Sequence, residues 1–222
     1  MSPTPSSSPT KRERRKEARP GELLEAALDL FVEKGFAATR VDEVAARAGV
    51  SKGTLFLYFL SKADLFKAVV RENIAGLFIE WNSEVETFAG STAELLHYCY
   101  RVWWERVGST KASGITKLML SEAQNFPEIT QFYQQEVILP GQQLIRRILQ
   151  RGIDRGEFRA VPLDDAIYVV LAPMMFLMMW KHSIGACAQG ALDIDPDRFL
   201  ATQADVIAHG LATRPGNAGP TA

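Results

Sequence analysis

Apolar side chains recur along much of the chain at the spacing of α-helices. In the first such stretch they fall at positions i, i+1, i+4, i+5, i+8 and i+9 between Leu23 and Val32, which places them on one helical face. Glycine readily adopts the left-handed conformation that ends many helices, so Gly35 predicts the end of this first helix. The pattern indicates an amphipathic helix with one buried face.

Two unusually short helical stretches follow. Residue types that begin helices by accepting hydrogen bonds from free backbone N–H groups stand at Thr39 with Asp42, at Ser51, and at Ser61 with Asp64. Gly49 predicts a tight turn before the Ser51 helix, which we expect to end near Phe59. Helices this short are not stable alone, so their stability must come from packing against other helices.

The helical periodicity continues almost to the C-terminus. It predicts a long fourth helix from Ser61 and then helices over 92–107, 113–124, 127–155, 164–183 and 196–211, with Pro140 as a potential bend. No stretch shows the period-two alternation of a half-buried strand. The sequence therefore predicts an all-α fold of about nine helices.

Composition and charge narrow the function. Residues 1–64 carry 11 Lys and Arg against 9 Asp and Glu, whereas the whole chain has a net charge of −1. A positive end on an acidic body suits a polyanionic partner. The basic run from Lys11 to Arg19 could be an arm that enters a DNA minor groove or a frayed tail.

Several other classes of protein are disfavoured. The chain has no phosphate-binding glycine loop, no HExxH motif and no CxxC pair, so we expect no enzyme, no metal site and no cofactor. The longest apolar run, from Ala166 to Trp180, is shorter than the roughly 20 residues of a membrane span. We therefore expect a cytoplasmic protein that does not enter the membrane.

Two short helices joined by a glycine turn form the helix-turn-helix arrangement, in which the second helix lies in the DNA major groove. The stretch "FVEKGFAATRVDEVAARAGVSKGTLFLYFLSKADLF", from Phe31 to Phe66, resembles the DNA-binding domain of the TetR/AcrR family of bacterial regulators. The resemblance implies that residues 20–65 form this domain and that residues 66–212 form a larger ligand-binding and dimerisation domain. We expect residues 1–19 to be a disordered basic tail and residues 213–222 a second disordered tail.

The resemblance also implies which residues contact DNA. The matching positions are Thr39, Arg40, Ser51, Lys52, Gly53, Thr54, Phe56, Leu57, Tyr58 and Lys62. The chain departs from the family pattern at Phe56, where tyrosine is usual. A phenylalanine cannot hydrogen-bond a phosphate, but it can pack on a thymine methyl group. We expect a palindromic operator in double-stranded DNA, read by a dimer.

The second domain is rich in aromatic and methionine side chains, which suit an adaptable apolar cavity as well as a plain core. The resemblance implies a pocket for a small, largely apolar or aromatic effector. The candidate lining residues are Phe78, Trp81, Tyr98, Trp103, Met119, Glu122, Phe126, Tyr133, Met174 and Met178. Further polar candidates are His97, Gln124, Asn125 and His182.

The predicted helix 164–183 is apolar almost all round, so it needs two partner surfaces. A homodimer through the helices near 164–183 and 196–211 would cover the second surface.

The sequence thus predicts a TetR-type regulator, expected to be a repressor that a ligand releases from DNA. The alternative is an architectural or constitutive DNA-binding protein with no ligand. A redox sensor using Cys99 and Cys187 is disfavoured, because thiols in apolar surroundings are usually inert.

Overall fold

The computed structural model describes residues 11–187 and 194–213, with the side chains of residues 11–19 left aside. Over those ranges the chain is helical, and the one β-type pairing is an isolated bridge between Phe158 and Ala212. The all-α prediction is confirmed. The chain divides into two compact units, Met1–Val69 and Val70–Ala222.

The first unit contains three helices and the start of a fourth. They are α1 (Lys11–Ala38), α2 (Val41–Arg47), α3 (Lys52–Phe56) and the first segment of α4 (Lys62–Val70). Residues 11–19, where the sequence predicted a disordered tail, have a helical backbone within α1. The tails expected at residues 1–10 and 214–222 lie outside the described residues.

Aromatic side chains form the centre of the first unit. The ring of Phe66 meets those of Phe31 and Phe36 edge-on, with centroids 5.2 Å and 5.5 Å away. Phe31 and Phe66 are fully buried, as are Leu23 and Leu55. Each such side chain contributes roughly 1.5–3 kcal/mol by leaving water, which explains how helices as short as α2 and α3 are held in place.

Two glycines with positive φ set the directions of the short helices. Gly35 has φ 82° and interrupts the regular helix inside α1, as the sequence predicted. Gly49 has φ 68° in the turn between α2 and α3, where the Val50 N–H donates to the Ala45 carbonyl at 2.9 Å. A side chain would strain either conformation, so both turns depend on glycine.

The second unit is a bundle of longer helices. Helix α4 continues through a π-helical turn, Arg71–Ala75, into Leu77–Thr87. It is followed by α5 (Thr92–Trp103, extended by the π-helical Trp104–Gly108), α6 (Ser113–Glu122) and α7 (Pro127–Tyr133, Gln134–Ile138 and Leu139–Asp154). The last two are α8 (Leu163–Lys181) and α9 (Pro196–Leu211), with a single turn, Ile184–Cys187, between them.

Pro140 distorts α7 one turn before its own position. The five residues Gln134–Ile138 form a π-helical turn with no residue fully buried, and Pro140 is the second residue after this turn. Proline lacks an N–H group and its ring clashes with the carbonyl four residues earlier. A π-helical turn widens the backbone at that point, which allows α7 to continue past Pro140 to Asp154.

Helices α5, α8 and α9 pack together on one side of the second unit. The Tyr100 hydroxyl on α5 donates to the Val170 carbonyl on α8 at 2.6 Å, and the rings of Phe176 and Phe199 join α8 to α9.

By length and composition alone, the segment Leu163–Cys187 could cross a membrane. Length therefore does not exclude a span, contrary to our expectation, but a core helix of a globular bundle meets the same criteria.

Candidate DNA-binding surface and effector cavity

Helix α3 is anchored on one side and open on the other. Leu55 is fully buried, and the Ser51 side chain accepts the Thr54 backbone N–H at 3.1 Å. On the opposite side Lys52 and Gly53 are exposed, and Leu57, directly after the helix, is 83% exposed. A cap and one buried leucine therefore hold a five-residue helix that presents its outer face to solvent.

Two basic residues flank one carboxylate beside this face. Asp42 accepts from the Lys52 ammonium at 3.1 Å and from the Arg40 guanidinium at 3.1 Å. The Lys52 hydrogen bond, followed by that of Arg40, lowers the pKa of Asp42 below its usual value. All three side chains are largely exposed, so these pairs contribute little stability. Phosphate oxygens can replace the carboxylate as acceptors of both cations.

Apolar side chains continue this surface beyond the cations. Phe56 is 39% exposed and Leu60 is 86% exposed, on either side of Leu57 in the sequence. Tyr58 is half-buried, with its ring near that of Phe59. Exposed apolar groups next to cations suit the edge of a base pair, where a thymine methyl group stands beside hydrogen-bonding atoms.

The second unit encloses an apolar cavity of about 680 Å³ among helices α4 to α8. This volume lies within the roughly 300–1,000 Å³ of sites that bind small molecules. Glu84 is the one ionised side chain among the described residues that line the cavity. Its carboxylate accepts two hydrogen bonds from the Arg106 guanidinium, at 2.8 Å and 3.2 Å, so its charge is compensated inside the wall.

Burial raises the pKa of one thiol and of several phenol groups in the wall. It raises the pKa of the Cys99 thiol to about 12, with the Glu84 charge as a second cause. It also raises the pKa of the Tyr133 hydroxyl to about 12 and, together with Glu84, raises the pKa of Tyr98. A protonated thiol is a poor nucleophile, so the cavity is suited to binding and not to covalent chemistry.

Comparison with known proteins decides the family. A model described as bacterial regulatory proteins of the tetR family matches residues 23–69, and a tetracyclin repressor-like C-terminal domain matches residues 89–185. An HTH-type transcriptional regulator of Mycobacterium tuberculosis is 30% identical over 153 residues, which cover 69% of this chain and 72% of that protein. The chain belongs to the TetR family. Its members are transcriptional regulators, which bind DNA.

Two other TetR-type proteins are informative. The transcriptional repressor KstR2 of Mycobacterium tuberculosis is 28% identical over 152 residues, covering 68% of this chain and 74% of that protein. The Bacillus subtilis regulator FadR, solved in complex with stearoyl-CoA, superposes with a TM-score of 0.67 at 18% identity, covering 86% of this chain and 98% of that one. The second likeness is one of fold.

Two residues that the TetR resemblance assigns to phosphate contacts are engaged inside the first unit. The Thr39 side chain is 2% exposed, and its hydroxyl donates to the carbonyls of Leu30 and Gly35. It is therefore not available to a phosphate, and it does not cap α2, whose N-cap is Arg40 with no side-chain bond.

Lys62 is the second of these residues. Its ammonium donates to the carbonyls of Phe36, Ala37 and Thr39 at 2.7, 3.1 and 3.1 Å. An ammonium has three donors, and all three are used. Lys62 therefore closes the C-terminal end of α1, where the last carbonyls of a helix have no partner of their own. The remaining assigned residues lie on or beside the open face of α3.

Most of the predicted effector contacts lie in the cavity wall. These are Phe78, Trp81, Tyr98, Trp103, Met119, Tyr133, Met174 and Met178. Glu122 and Phe126 are not among the lining residues, although their neighbours Leu120 and Ala123 are. Two of the other polar candidates bind protein groups: His97 contacts Asp205, and His182 contacts the Ser113 hydroxyl.

Several polar residues of the wall were not among the predicted effector contacts. Glu84, Cys99 and Thr116 all line the cavity. Each of the three lies on the cavity-facing side of its own helix, α4, α5 or α6. The helical periodicity of the neighbouring apolar residues could therefore have found them. The expectation for Cys187 also changes, because its side chain is exposed and not in apolar surroundings.

Proposed function

We propose that this TetR-family chain is a repressor that reads a palindromic operator with α3. The observation that carries the proposal is the presentation of α3: one buried leucine anchors it, and its Lys52–Leu57 side faces solvent. Lys52 would donate to a guanine edge or a phosphate, and the Thr54 hydroxyl would reach a phosphate or a base. Arg40 would bind a phosphate. Phe56 and Leu57 would pack on thymine methyl groups.

The proposal includes a homodimer through α8 and α9. Large apolar side chains on these helices face solvent in the single chain: Tyr168, Val169, Phe176, Met179 and Val206 are between 40% and 62% exposed. Large exposed apolar side chains that cluster on one pair of helices favour an interaction surface there. A two-fold dimer would cover it and would offer two α3 helices to half-sites about 34 Å apart.

We further propose that the cavity binds a largely apolar effector that lowers operator affinity. The wall is hydrocarbon, aromatic and thioether apart from a few polar groups and the compensated Glu84. FadR binds stearoyl-CoA in its crystal structure, and a ligand with a comparable apolar part would suit the cavity proposed here. Helix α4 carries Ile74, Phe78 and Trp81 in the wall and also includes Lys62 of the first unit. A ligand that displaces α4 would change how the dimer presents its α3 helices.

Thermodynamics limits how far effector binding can change DNA binding. A ligand shifts the DNA-binding equilibrium only by the ratio of its affinities for the two states. The proposal therefore requires that the effector bind the DNA-free form more tightly. The alternative is a cytoplasmic, architectural DNA-binding protein without a ligand. Such a protein would show no coupling between a small molecule and DNA binding. A saturable effect of a small molecule on DNA release separates the two functions.

The experiment that tests the DNA proposal is selection of bound duplexes from a random pool, with the mass of the protein in solution measured alongside. We expect enriched sequences with two-fold symmetry and half-site centres about one helical turn apart, bound by a dimer. Enrichment of asymmetric sites by a monomer would refute the dimeric reader. Retention of DNA with no sequence enrichment would favour the architectural alternative.

A further inference from the structure

A pair of buried hydroxyl groups stands in the wall of the apolar cavity. Thr116 on α6 and Tyr133 on α7 both line it, and their side-chain oxygens are 2.9 Å apart. Thr116 is 9% exposed and Tyr133 is 5% exposed. The two residues thus bring a hydrogen-bonding site into a wall that is otherwise mostly apolar.

The pair has one more donor than its own bond can use. Each hydroxyl carries one O–H group, and a hydrogen bond between the two oxygens uses only one of them. Among the described residues, neither oxygen has a further protein partner. Burial raises the pKa of Tyr133 to about 12, so its proton is present at neutral pH. One O–H donor of the pair is therefore left for another acceptor.

Trp81 adds a second unused donor to the same wall. Its ring lines the cavity and is 8% exposed, and its indole Nε1 has no hydrogen-bond partner among the described residues. Buried donors without a partner are rare, because each one loses its hydrogen bond to water. By contrast, the Tyr100 hydroxyl, also in the wall, is satisfied by the Val170 carbonyl. The wall thus holds two donors that have no protein acceptor among the described residues.

The charges of the wall restrict which kind of hydrogen-bond acceptor a ligand can place beside these donors. The lining residues in the described part of the chain include no Lys, Arg or His, and the one carboxylate, Glu84, is already bound by Arg106. An anionic acceptor placed beside Thr116 and Tyr133 would be buried without a cationic partner, which is strongly unfavourable. A neutral oxygen can accept the free O–H without that penalty.

We infer that the effector carries a neutral carbonyl oxygen, as in a ketone or an ester, and that the Thr116–Tyr133 pair donates a hydrogen bond to it. The inference rests on the proposed effector function of the cavity and names the chemical class of the ligand. The apolar wall supplies most of the affinity, and the hydroxyl pair selects the molecule. Trp81 supplies a second donor for a ligand that carries another acceptor.

Displacement of Nile red from the full-length protein by matched probes tests the inference. Fluorene and fluorenone differ only in the carbonyl group, and methyl decanoate and decanoate differ in charge. One buried hydrogen bond to a neutral acceptor should make fluorenone bind about five- to tenfold more tightly than fluorene. Methyl decanoate should bind at least about tenfold more tightly than decanoate at neutral pH. The two arms show whether ketones, esters or both are accepted.

Two variants assign the preference to the pair. The double variant Thr116→Val, Tyr133→Phe removes both hydroxyls with little change in shape, so fluorene should bind within about twofold of wild type while the preference for fluorenone disappears. Tyr100→Phe is the matched control, because it removes a wall hydroxyl that is already bonded to a carbonyl. The control should keep the preference, and its fluorene affinity shows whether the cavity is intact.

The outcomes separate this inference from the proposed function. If wild type binds fluorene and fluorenone equally, or if the double variant keeps the preference, the hydroxyl pair does not select a carbonyl, while the apolar effector site still stands. Tighter binding of decanoate than of its methyl ester would equally overturn the inference. If none of the four probes displaces Nile red, the apolar effector site is refuted and the inference falls with it.

Discussion

Removal of the Lys62 ammonium distinguishes two roles that a single lysine can have in a DNA-binding domain. The structure gives it an internal role: three hydrogen bonds to the carbonyls of Phe36, Ala37 and Thr39, and a position 4.6 Å from the centroid of the Phe36 ring. The resemblance to relatives gave it an external role, as a ligand of phosphate. Lys62→Met keeps the aliphatic stem and deletes the charge, so it tests both.

The expected cost follows from these interactions. Two of the three hydrogen bonds are part-buried and one is exposed. A hydrogen bond to a charged group contributes about 1.5–3 kcal/mol when well buried, and much less in water. The cation–ring interaction adds roughly 0.5–1 kcal/mol at a partly exposed position. With the solvent-exposed bond discounted, we expect Lys62→Met to lower the free energy of unfolding by about 2–3 kcal/mol.

Urea unfolding and a salt titration of DNA binding provide the assay. A destabilisation of this size shifts the urea midpoint down by about 1 M for typical slopes. The slope of log K against log salt should stay unchanged, because the variant still binds the same number of phosphates. Arg40→Met is the matched control, since its side chain is 72% exposed and pairs with the exposed Asp42. It should leave the midpoint unchanged and reduce the salt slope by about 0.9 for each phosphate that Arg40 neutralises.

The reverse pattern would refute this reasoning. If Lys62→Met unfolds at the wild-type urea concentration and its salt slope falls, then Lys62 contacts phosphate and the internal hydrogen bonds contribute no stability. A fall in both stability and salt slope would mean that the ammonium exchanges between the carbonyls and the DNA backbone.

Three further substitutions test other parts of the structure. Ser51→Ala removes the cap on the Thr54 N–H, so it should cost about 1 kcal/mol and weaken operator binding, as thermal unfolding and DNA titration would show. Gly152→Ala places a Cβ against the Phe158 ring and should destabilise the protein by about 1–3 kcal/mol; an unchanged melting temperature would contradict the packing. Burial, with nearby Lys181 and Lys117, lowers the pKa of His182 below 6.5, so the unfolded chain binds more protons and stability should fall as the pH drops below 6.5. His182→Gln should flatten that acid limb of the stability curve.

Local signals explain why so much of the helical order could be predicted from the sequence. Ser51 and Ser61 begin helices because their hydroxyls accept nearby N–H groups, three residues away in each case. Gly35 and Gly49 end or turn the chain because they adopt positive φ. These interactions join residues close in sequence, so a short window of residues contains all the information they need.

Thr39 and Lys62 show where such reasoning ends. Thr39 does not cap α2, which begins after Arg40, and its hydroxyl instead donates to the Leu30 carbonyl, nine residues earlier. Lys62 reaches carbonyls 23 to 26 residues away. No periodicity or cap pattern encodes a partner at that distance, since the folded core brings the groups together. The resemblance to the TetR/AcrR family implied an external, DNA-facing role for both.

The cavity was predictable in composition but not in its polar detail. Bulky residues such as Trp81 and Met178 were expected in the wall and line it. The pairing of Thr116 with Tyr133 depends on how α6 packs beside α7, and that geometry follows from side-chain packing across the bundle. Glu122 was expected in the wall, but it is not among the lining residues, whereas Leu120 and Ala123 on either side of it are.

The central claim is that α3 reads DNA, and one titration tests it most directly. Wild type, the variant Lys52→Ala, Thr54→Ala and the control Lys117→Ala, Ser121→Ala are each titrated against the DNA upstream of the gene at several salt concentrations. The control removes one charge and one hydroxyl from α6. We predict tight, sequence-specific and salt-dependent binding by wild type and control, and loss of that specificity in the α3 variant. Equal binding by all three proteins, with no preference for the upstream sequence, would contradict the account.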